Sequence, residues 1–477
     1  MSTPAQDFLA RVARILPHGM GLSVDVYSPD LFDLLDALQA EGLTPQYLEV
    51  FKASTGALAE VRRRLPGWLL EYHAEGIWLT QPHLTRDYPV QHEIQVAADH
   101  LATLGSSWMN HECAAKQMAG YSFGTYLPPI FSAESADLTA AQATWLQHQL
   151  DESAAETAGP LLLLEVPPLT YFGFGDLSVP DFFRRIVEQA PCGLVLDIGH
   201  VWTIYRYTGA WRRRTPSEFL SEFLQRFPLE RVVQIHLAGL GEHPATDEPA
   251  SLPPWLDAHG ARIPAVLFEL LEQTLADPRL IHLKGIALEV DTKAIPLIVE
   301  EFQVFRQMVL QAPSISEPSI SETAAKAPFT STVPRVPSEK HDAMSHLYRL
   351  YAETVSSGTS PDQAAVLPAL EGELVNVVPY RCRYLPDEIL TWGGRIEDMF
   401  PETCRALDLA GHSMMGFVAH WFREPRQADV PYDFFLLKLE RFQAFVSDVL
   451  PEALPTAARE AADLRTAYAS ANELVPS

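Results

Sequence analysis

Short apolar runs alternate with amphipathic stretches through the first 311 residues. Eight of these runs have the length of a strand and are apolar on both faces, as in a parallel sheet covered by helices. They lie at residues 19–24, 47–51, 68–73, 106–111, 161–166, 193–198, 232–237 and 285–290. Helical periodicity occupies residues 28–40, 55–64, 91–104, 139–158, 180–189, 216–225 and 264–276. Eight βα repeats predict an α/β fold, a closed (β/α)8 or TIM barrel.

A second region follows a segment rich in Pro, Ser and Thr at residues 312–340, which contains the duplication PSISEPSISE. Such a composition does not bury a core, so it predicts a linker. Beyond it, long amphipathic patterns occur at residues 343–355, 394–422, 432–450 and 456–471, with few strand candidates. We therefore expect a barrel domain at 1–311 and a smaller, mainly α-helical domain at 341–477.

Composition and charge narrow the class of function. The 477 residues are 47% hydrophobic and 20% charged, as in globular proteins. A formal net charge of −26 opposes binding to nucleic acid. Residues 1–20 lack the apolar core of a signal peptide and no long apolar run follows, so we expect a soluble, cytoplasmic protein without a membrane partner. The four cysteines lack CxxC spacing, so any metal would be bound by nitrogen and oxygen.

Residues able to bind a metal stand where the apolar runs end. The C-terminal ends of barrel strands converge on one mouth, so these side chains become neighbours there. Nine buried polar groups would otherwise each need a hydrogen-bond partner, whereas shared metal ligation explains them together. They suit two or three ions and fit iron, zinc or manganese equally. The candidate ligands are His73, His111, Glu165, Asp197, His200, His236, Asp257, His259 and Glu289.

Other polar residues give weaker signals. Glu49 and Lys52 end the second strand, where they would either reach the mouth or form an internal ion pair. His412 and His420 lie eight residues apart in a helical pattern, which is too little to predict a second metal site. The chain contains neither a GxGxxG loop nor a Walker P-loop.

The order His, His, Glu, Asp-x-x-His, His, Asp-x-His, Glu resembles two groups of the xylose-isomerase-like barrel superfamily. One is endonuclease IV, a trinuclear zinc phosphodiesterase that acts at abasic DNA sites. The other is the family of multinuclear non-haem iron-dependent oxidative enzymes, which includes the methanobactin-biosynthesis oxygenase. The segments WMNHECA, LLLLEVPPLTYF, CGLVLDIGHVW, VVQIHLAG and LDAHG favour the second group. Two departures from its pattern are the Val-Pro after Glu165 and LEVD in place of Glu-Trp-Asp.

This resemblance implies that the barrel is of the xylose-isomerase-like type and that the nine residues are iron ligands. It implies two or three ions of mixed Fe(II) and Fe(III) valence, O2 as cosubstrate, and oxidative modification of a residue, often Cys, in a ribosomally made precursor peptide. Such oxygenases often depend on a separate partner protein that binds the leader of the peptide. The domain at 341–477 is a candidate for that role, or for oligomerisation or stability. A metal-dependent hydrolase or isomerase of the same superfamily, acting on a phosphodiester or a sugar-type substrate, stays open as the alternative.

Overall fold

The computed structural model describes residues 2–154, 159–241, 256–311, 338–356, 376–426 and 430–473. Eight parallel strands close into a barrel in which each strand pairs with its neighbour in sequence and the last pairs with the first. The predicted barrel is therefore confirmed. Its strands are β1 (Gly19–Val24), β2 (Tyr47–Phe51), β3 (Leu69–His73), β4 (Trp108–Glu112), β5 (Leu161–Glu165), β6 (Gly193–Asp197), β7 (Val232–Leu237) and β8 (Gly285–Glu289).

Helices surround the barrel, and several begin at the residues that the sequence indicates. The Ser54 hydroxyl accepts the N–H of Ala57, and Thr215 forms a capping box with Glu218. The helix predicted at 139–158 begins earlier, and residues 155–158 lie outside the described residues. The α-helices are Pro4–Val12, Leu31–Ala40, Thr55–Arg64, Leu84–Asp87, Val90–Leu104, Ala133–Ser153, Val179–Gln189, Ile198–Tyr207, Pro216–Arg226, Ala265–Leu275 and Ile295–Gln311, with 3-10 turns at Ala210–Arg212 and Leu229–Arg231.

The helix Pro4–Val12 closes one end of the barrel. Its Phe8 and Val12 side chains are buried against Trp108 and Leu161, which lie at the N-terminal ends of β4 and β5. Because parallel strands all begin at this end, the side chains at their C-terminal ends are left for the opposite mouth.

In the described residues, three small two-stranded sheets lie outside the barrel, and the sequence did not predict them. A hairpin of Ala115–Met118 and Tyr121–Leu127 follows β4 and turns at Ala119 and Gly120, both at positive φ. Strand Ile130–Phe131 pairs with Phe174–Gly175, and Leu240–Gly241 pairs with Leu256–Asp257. The last pair brings a predicted ligand, Asp257, back to the barrel mouth.

The C-terminal region is helical, as predicted. The single pattern expected at 394–422 is divided into three helices, with left-handed backbone at Gly411 before the third. Of the linker predicted at 312–340, residues 312–337 lie outside the described residues, and 338–340 begin a helix. The α-helices are Ser338–Ser356, Val377–Pro379, Leu385–Thr391, Ile396–Met399, Pro401–Leu409, Met414–Trp421, Phe434–Val449 and Leu454–Glu473, with a π-helix at Tyr380–Tyr384 and a 3-10 turn at Pro451–Ala453.

This C-terminal region packs on the hairpin that follows β4. The indole N–H of Trp421 donates to the Ser122 carbonyl over 2.8 Å, and the Tyr432 hydroxyl donates to the Phe123 carbonyl. Glu388 accepts from the Gly124 N–H and the Thr125 hydroxyl. Its burial raises the pKa of this carboxyl to about 7, against the opposing effect of these hydrogen bonds. Both regions therefore share one continuous core.

The helix Ser338–Ser356 of the C-terminal region packs on the outer layer of the barrel. The Tyr348 hydroxyl lies 2.9 Å from the Ser135 hydroxyl, and the Tyr351 hydroxyl donates to the Pro128 carbonyl over 3.1 Å. Within the part of the chain that the structure describes, no helix has both the length and the apolar character needed to cross a bilayer.

Candidate metal centre

Seven of the nine predicted ligands come together at the C-terminal mouth of the barrel. They form two groups in which the ligand atoms lie within 4.8 Å of one another. One group consists of Glu165, Asp197, His236 and Glu289, and the other of His200, Asp257 and His259. No single element holds either group, so only the closed barrel brings them together.

The first group is fully enclosed and lies on four adjacent strands. Glu165, Asp197 and Glu289 are the last residues of β5, β6 and β8, and His236 lies near the end of β7. His236 Nδ1 is 3.1 Å from Glu165 Oε1 and 3.6 Å from Glu289 Oε2. All four residues are buried.

The second group lies nearer to solvent. His200 is in the first turn of the helix Ile198–Tyr207, where the Asp197 side chain caps its backbone N–H. His200 Nε2 and His259 Nε2 are each 3.2 Å from Asp257 Oδ2. His259 Nε2 is also 3.6 Å from Glu289 Oε2, which joins this group to the first. Asp257 and His259 retain 18% and 19% side-chain exposure, so they mark the open end of the cluster.

His73 borders the cluster, and His111 is turned away from it. His73 Nε2 lies 3.3 Å from Glu165 Oε2, whereas His236 faces the other oxygen of that carboxylate. His111 Nδ1 lies 2.8 Å from the Glu112 carbonyl, and its Nε2 accepts the N–H of Ile77 over 3.1 Å. Both nitrogens of His111 therefore have protein partners in this structure.

Glu112 faces the cluster in place of His111. Adjacent residues of a strand point to opposite faces, and Asn110 and Glu112 share the face that meets Glu165. Glu112 forms a third group with Glu165 and His200, with its Oε1 at 3.9 Å from His200 Nδ1. The sequence analysis missed Glu112. Strict alternation along β4 would have indicated that either His111 or Glu112, and not both, faces the barrel interior.

Hydrogen bonds on the remote ring nitrogens orient the other imidazoles. His200 Nδ1 donates to the Val166 carbonyl over 2.6 Å, and His73 Nδ1 donates to the Ala74 carbonyl over 3.2 Å. His259 Nδ1 contacts the Asp291 carboxylate, whose presence in LEVD gave no clear signal in the sequence. Since a carbonyl oxygen only accepts, Nδ1 of His200 and of His73 carries a proton, and Nε2 is the nitrogen that faces the cluster. This is the ring orientation that a metal ligand needs.

Burial and neighbouring charges shift the pKa values of the acids and imidazoles in the cluster. Burial would lower the pKa of His236, but Glu165 and Glu49 outweigh it and raise this pKa well above its usual value. The pKa of His200 is raised in the same way, against burial, by Asp197 and Asp257. Burial raises the pKa of Glu289 to about 7, with His259 and His236 opposing the shift. Without a cation, the cluster therefore relies on charged imidazoles to hold its carboxylates.

Several buried oxygens have no hydrogen-bond partner among the described residues, which fits a site made for a cation. Such atoms are costly in a protein interior, because nothing replaces the water that they lose. They are Asp197 Oδ2, Asp257 Oδ1, Glu289 Oε2 and Glu112 Oε2. The donor set of imidazole nitrogen and carboxylate oxygen suits a divalent transition metal.

Glu49 on β2 and Lys52 in the loop after it have different environments in the structure. Lys52 forms an internal ion pair, with its Nζ 2.6 Å from Glu93 Oε2 and 3.3 Å from the Glu75 carbonyl. Glu49 instead points into the barrel, 2.9 Å from His236 Nε2. In the C-terminal region, His420 lies 3.2 Å from Asp448 and belongs to none of the three ligand groups.

We predict opposite effects of Asp197→Asn on stability and on metal binding. The pKa of Asp197 is raised, with burial as the largest cause, so its charge is disfavoured in the folded state and neutralising it should stabilise the metal-free protein. Asn also caps a helix well, so the helix Ile198–Tyr207 should remain intact. The wild type should gain about 3 kcal/mol in a hundredfold excess of metal over its Kd, and the variant much less. Thermal unfolding with metal and with chelator measures both effects.

Asp30→Asn is the matched control. Asp30 also caps a barrel helix, by accepting the N–H groups of Phe32 and Asp33, and it belongs to none of the three groups. It should leave the metal-dependent stabilisation unchanged. A metal response in Asp197→Asn equal to that of the wild type would remove Asp197 from the site.

Comparison with known proteins finds relatives that cover about half of this chain. The chain is 27% identical over 259 residues to a UPF0276 protein of Paraburkholderia phytofirmans, covering 51% of this chain and 73% of the relative. It is 25% identical over 271 residues to a UPF0276 protein of an Anaeromyxobacter species, covering 56% and 84%.

Two solved structures resemble the barrel, both with TM-scores that carry no functional inference. They are endonuclease IV from Thermus thermophilus (18% identity, 62% of this chain and 100% of that chain, TM-score 0.38) and a D-tagatose 3-epimerase-like protein (15%, 61% and 97%, TM-score 0.40). The model of the RiPP precursor modification enzyme family MbnB/TglH/ChrH matches residues 71–309, which include all nine predicted ligands. RiPPs are ribosomally made peptides that are modified after synthesis. The chain belongs to this family of precursor-modifying enzymes.

Proposed function

We propose that this protein is an iron- and O2-dependent oxidase that modifies a residue, most often a cysteine, in a ribosomally made precursor peptide. The observation that carries the proposal is the pair of ligand groups, which Glu289 joins at the barrel mouth. This pair occurs in a member of a precursor-modifying family. The cluster would hold two or three iron ions of mixed Fe(II) and Fe(III) valence. The proposed ligands are His73, Glu112, Glu165, Asp197, His200, His236, Asp257, His259 and Glu289.

His111 is left out of the proposed set because its lone pair already accepts the Ile77 N–H. It would instead support the loop after β3, with its ring edge-on to the Trp78 indole at 6.2 Å between centroids. Glu112 takes its place as the ligand from β4. Glu165 and Glu289 would each contribute to more than one part of the centre, because Glu165 belongs to two of the ligand groups and Glu289 lies within 3.6 Å of His259 in the second.

Bound iron would supply the one-electron chemistry with O2 that side chains alone lack. The protein residues would hold the ions and control access to them. Asp257 and His259 are the partly exposed members, so the peptide side chain would approach from their end. The first group lies deeper, where its burial excludes water from the oxidising centre.

We further propose that the C-terminal region recognises the precursor peptide. The helix Ser338–Ser356 meets the loop after β3 and the turn of the hairpin after β4 around a cavity of about 340 Å³. Both loops begin at the C-terminal ends of barrel strands, which is the end of the barrel that holds the candidate metal centre. The polar lining of the cavity includes His83, Asp342, His346 and Arg349. Such groups suit the backbone and charged side chains of a peptide.

Anaerobically purified protein should contain about two to three irons per chain and should consume O2 when the precursor peptide is present. His236→Ala should abolish turnover because it removes a ligand, while the barrel remains folded. Iron analysis, O2 uptake and mass spectrometry of the peptide measure these outcomes. His92→Ala, which changes an exposed histidine of the helix Val90–Leu104, is the control and should behave as the wild type.

Zinc provides the test against the alternative. Stoichiometric zinc with full turnover and no iron requirement would contradict the oxidase proposal. It would support a metal-dependent hydrolase or isomerase with the same barrel.

Arg349→Ala should weaken peptide binding about tenfold while leaving the iron content unchanged, because it removes a charged donor from the cavity. Calorimetric titration of the precursor peptide into the iron-loaded protein measures the affinity. Arg459→Ala is the matched control, since Arg459 is an exposed arginine of the helix Leu454–Glu473 that pairs with Glu402 away from the cavity. Equal affinities of Arg349→Ala and the wild type would argue against recognition at this cavity and for a separate partner protein.

A further inference from the structure

Glu49 is a fully buried carboxylate in the centre of the barrel. Its side chain has no exposed surface, and it lies on β2, outside the segment matched by the family model. One oxygen accepts from the Ser23 hydroxyl over 3.0 Å, and the other lies 3.4 Å from the indole nitrogen of Trp108. Two neutral donors are poor compensation for removing a carboxylate from water. The buried charge of Glu49 must therefore be explained by its third contact.

That third contact is His236, whose two ring nitrogens face opposite ways. Nδ1 faces Glu165 and Glu289, and Nε2 lies 2.9 Å from Glu49 Oε2. Among the described residues this Nε2 makes no hydrogen bond of good geometry, and Glu49, at 2.9 Å, is the carboxylate placed to accept from it. Glu49 reaches it across the barrel interior, since β2 and β7 are separated by β1 and β8.

The chemistry of a neutral imidazole connects these two contacts. Such a ring has one N–H and one lone pair. If Nδ1 gives its lone pair to a cation, Nε2 carries the proton and needs an acceptor, and in this interior Glu49 is that acceptor. A carboxylate behind a ligating histidine fixes the tautomer and strengthens the ligand.

We propose that Glu49 is a positioning residue for the metal centre, which accepts the Nε2 proton of His236 and thereby presents Nδ1 to the cation. The inference rests on the proposed metal binding by Glu165, Asp197, His236 and Glu289. What it adds is that Glu49, which is not itself a ligand, controls how strongly His236 binds the metal and how much electron density it donates.

Glu71 is a matched control within the same barrel. It lies beside Glu49 in the register of β2 and β3 and is equally buried. It also faces an imidazole, with its Oε1 2.6 Å from His18 Nε2. Since His18 belongs to none of the ligand groups, Glu71→Gln removes a buried carboxylate without touching the centre.

The test compares the affinity of the full-length protein for Fe2+ by competition with a chelator under anaerobic conditions. Glu49→Gln should weaken Fe2+ binding about 10- to 100-fold. It should also raise the reduction potential of the iron-loaded protein, because a less basic imidazole stabilises Fe(III) less. Glu71→Gln should leave the affinity and the potential unchanged, whatever its effect on thermal stability. Unchanged affinity and potential in Glu49→Gln, or equal losses in both variants, would overturn the proposal.

A double variant tests whether Glu49 acts through His236. Adding Glu49→Gln to His236→Ala should cause no further loss of Fe2+ affinity, whereas an additional loss would contradict the proposed route. A Glu49→Gln protein that does not fold would also contradict the proposal, since Glu49 would then be a requirement of the core. Failure of the wild type to bind Fe2+ is a distinct result, which would contradict the proposed function itself.

Discussion

A protein interior tolerates a group of carboxylates only where positive charge compensates it. Glu112, Glu165, Asp197, Asp257 and Glu289 meet at one end of this barrel, and the imidazoles beside them are the main source of compensation within the protein. The closed barrel imposes this meeting, because the parallel strands β5 to β8 end side by side. Within the described part of the chain, four carboxylate oxygens of the cluster and Nε2 of His236 still lack a hydrogen-bond partner. A cation shared by the cluster satisfies these oxygens and the ring nitrogens together.

The surroundings of the cluster are built to keep this arrangement in place. Backbone carbonyls fix the rings of His73 and His200, and the carboxylates of Asp291 and Glu49 face the rings of His259 and His236. A histidine held in this way loses little freedom when it binds a metal, so the orienting partners contribute to affinity without touching the ion.

The C-terminal region also supports the surroundings of the cluster. Its Trp421, Tyr432 and Glu388 hold the hairpin that follows β4, and that hairpin continues directly from the strand that carries Glu112. On the inner side of the hairpin, Lys116 lies 4.4 Å above the Tyr126 ring and pairs with Glu75. The region that we propose for peptide recognition therefore also shapes the walls around the metal centre.

Much of the barrel is readable in the sequence because burial on both faces leaves continuous apolar runs, and polar residues at their ends are conspicuous. The site was predicted less completely, for local reasons. The fourth apolar run, at 106–111, begins two residues before β4 (Trp108–Glu112) and ends on His111, whereas β4 turns Asn110 and Glu112 inward. The sequence leaves Glu49 open between the mouth and an internal ion pair, because its partner His236 is distant in the sequence and comes close only when the barrel closes. The hairpin was missed because Ala115–Met118 is short and does not alternate.

Anomalous X-ray scattering from crystals of the iron-loaded protein tests the central claim most directly. Data recorded on both sides of the iron absorption edge locate iron without reference to activity. The account predicts at least two iron peaks, one among Glu165, Asp197, His236 and Glu289 and one among His200, Asp257 and His259. An iron-loaded crystal with no peak at the mouth, or with its iron bound only elsewhere, would contradict it.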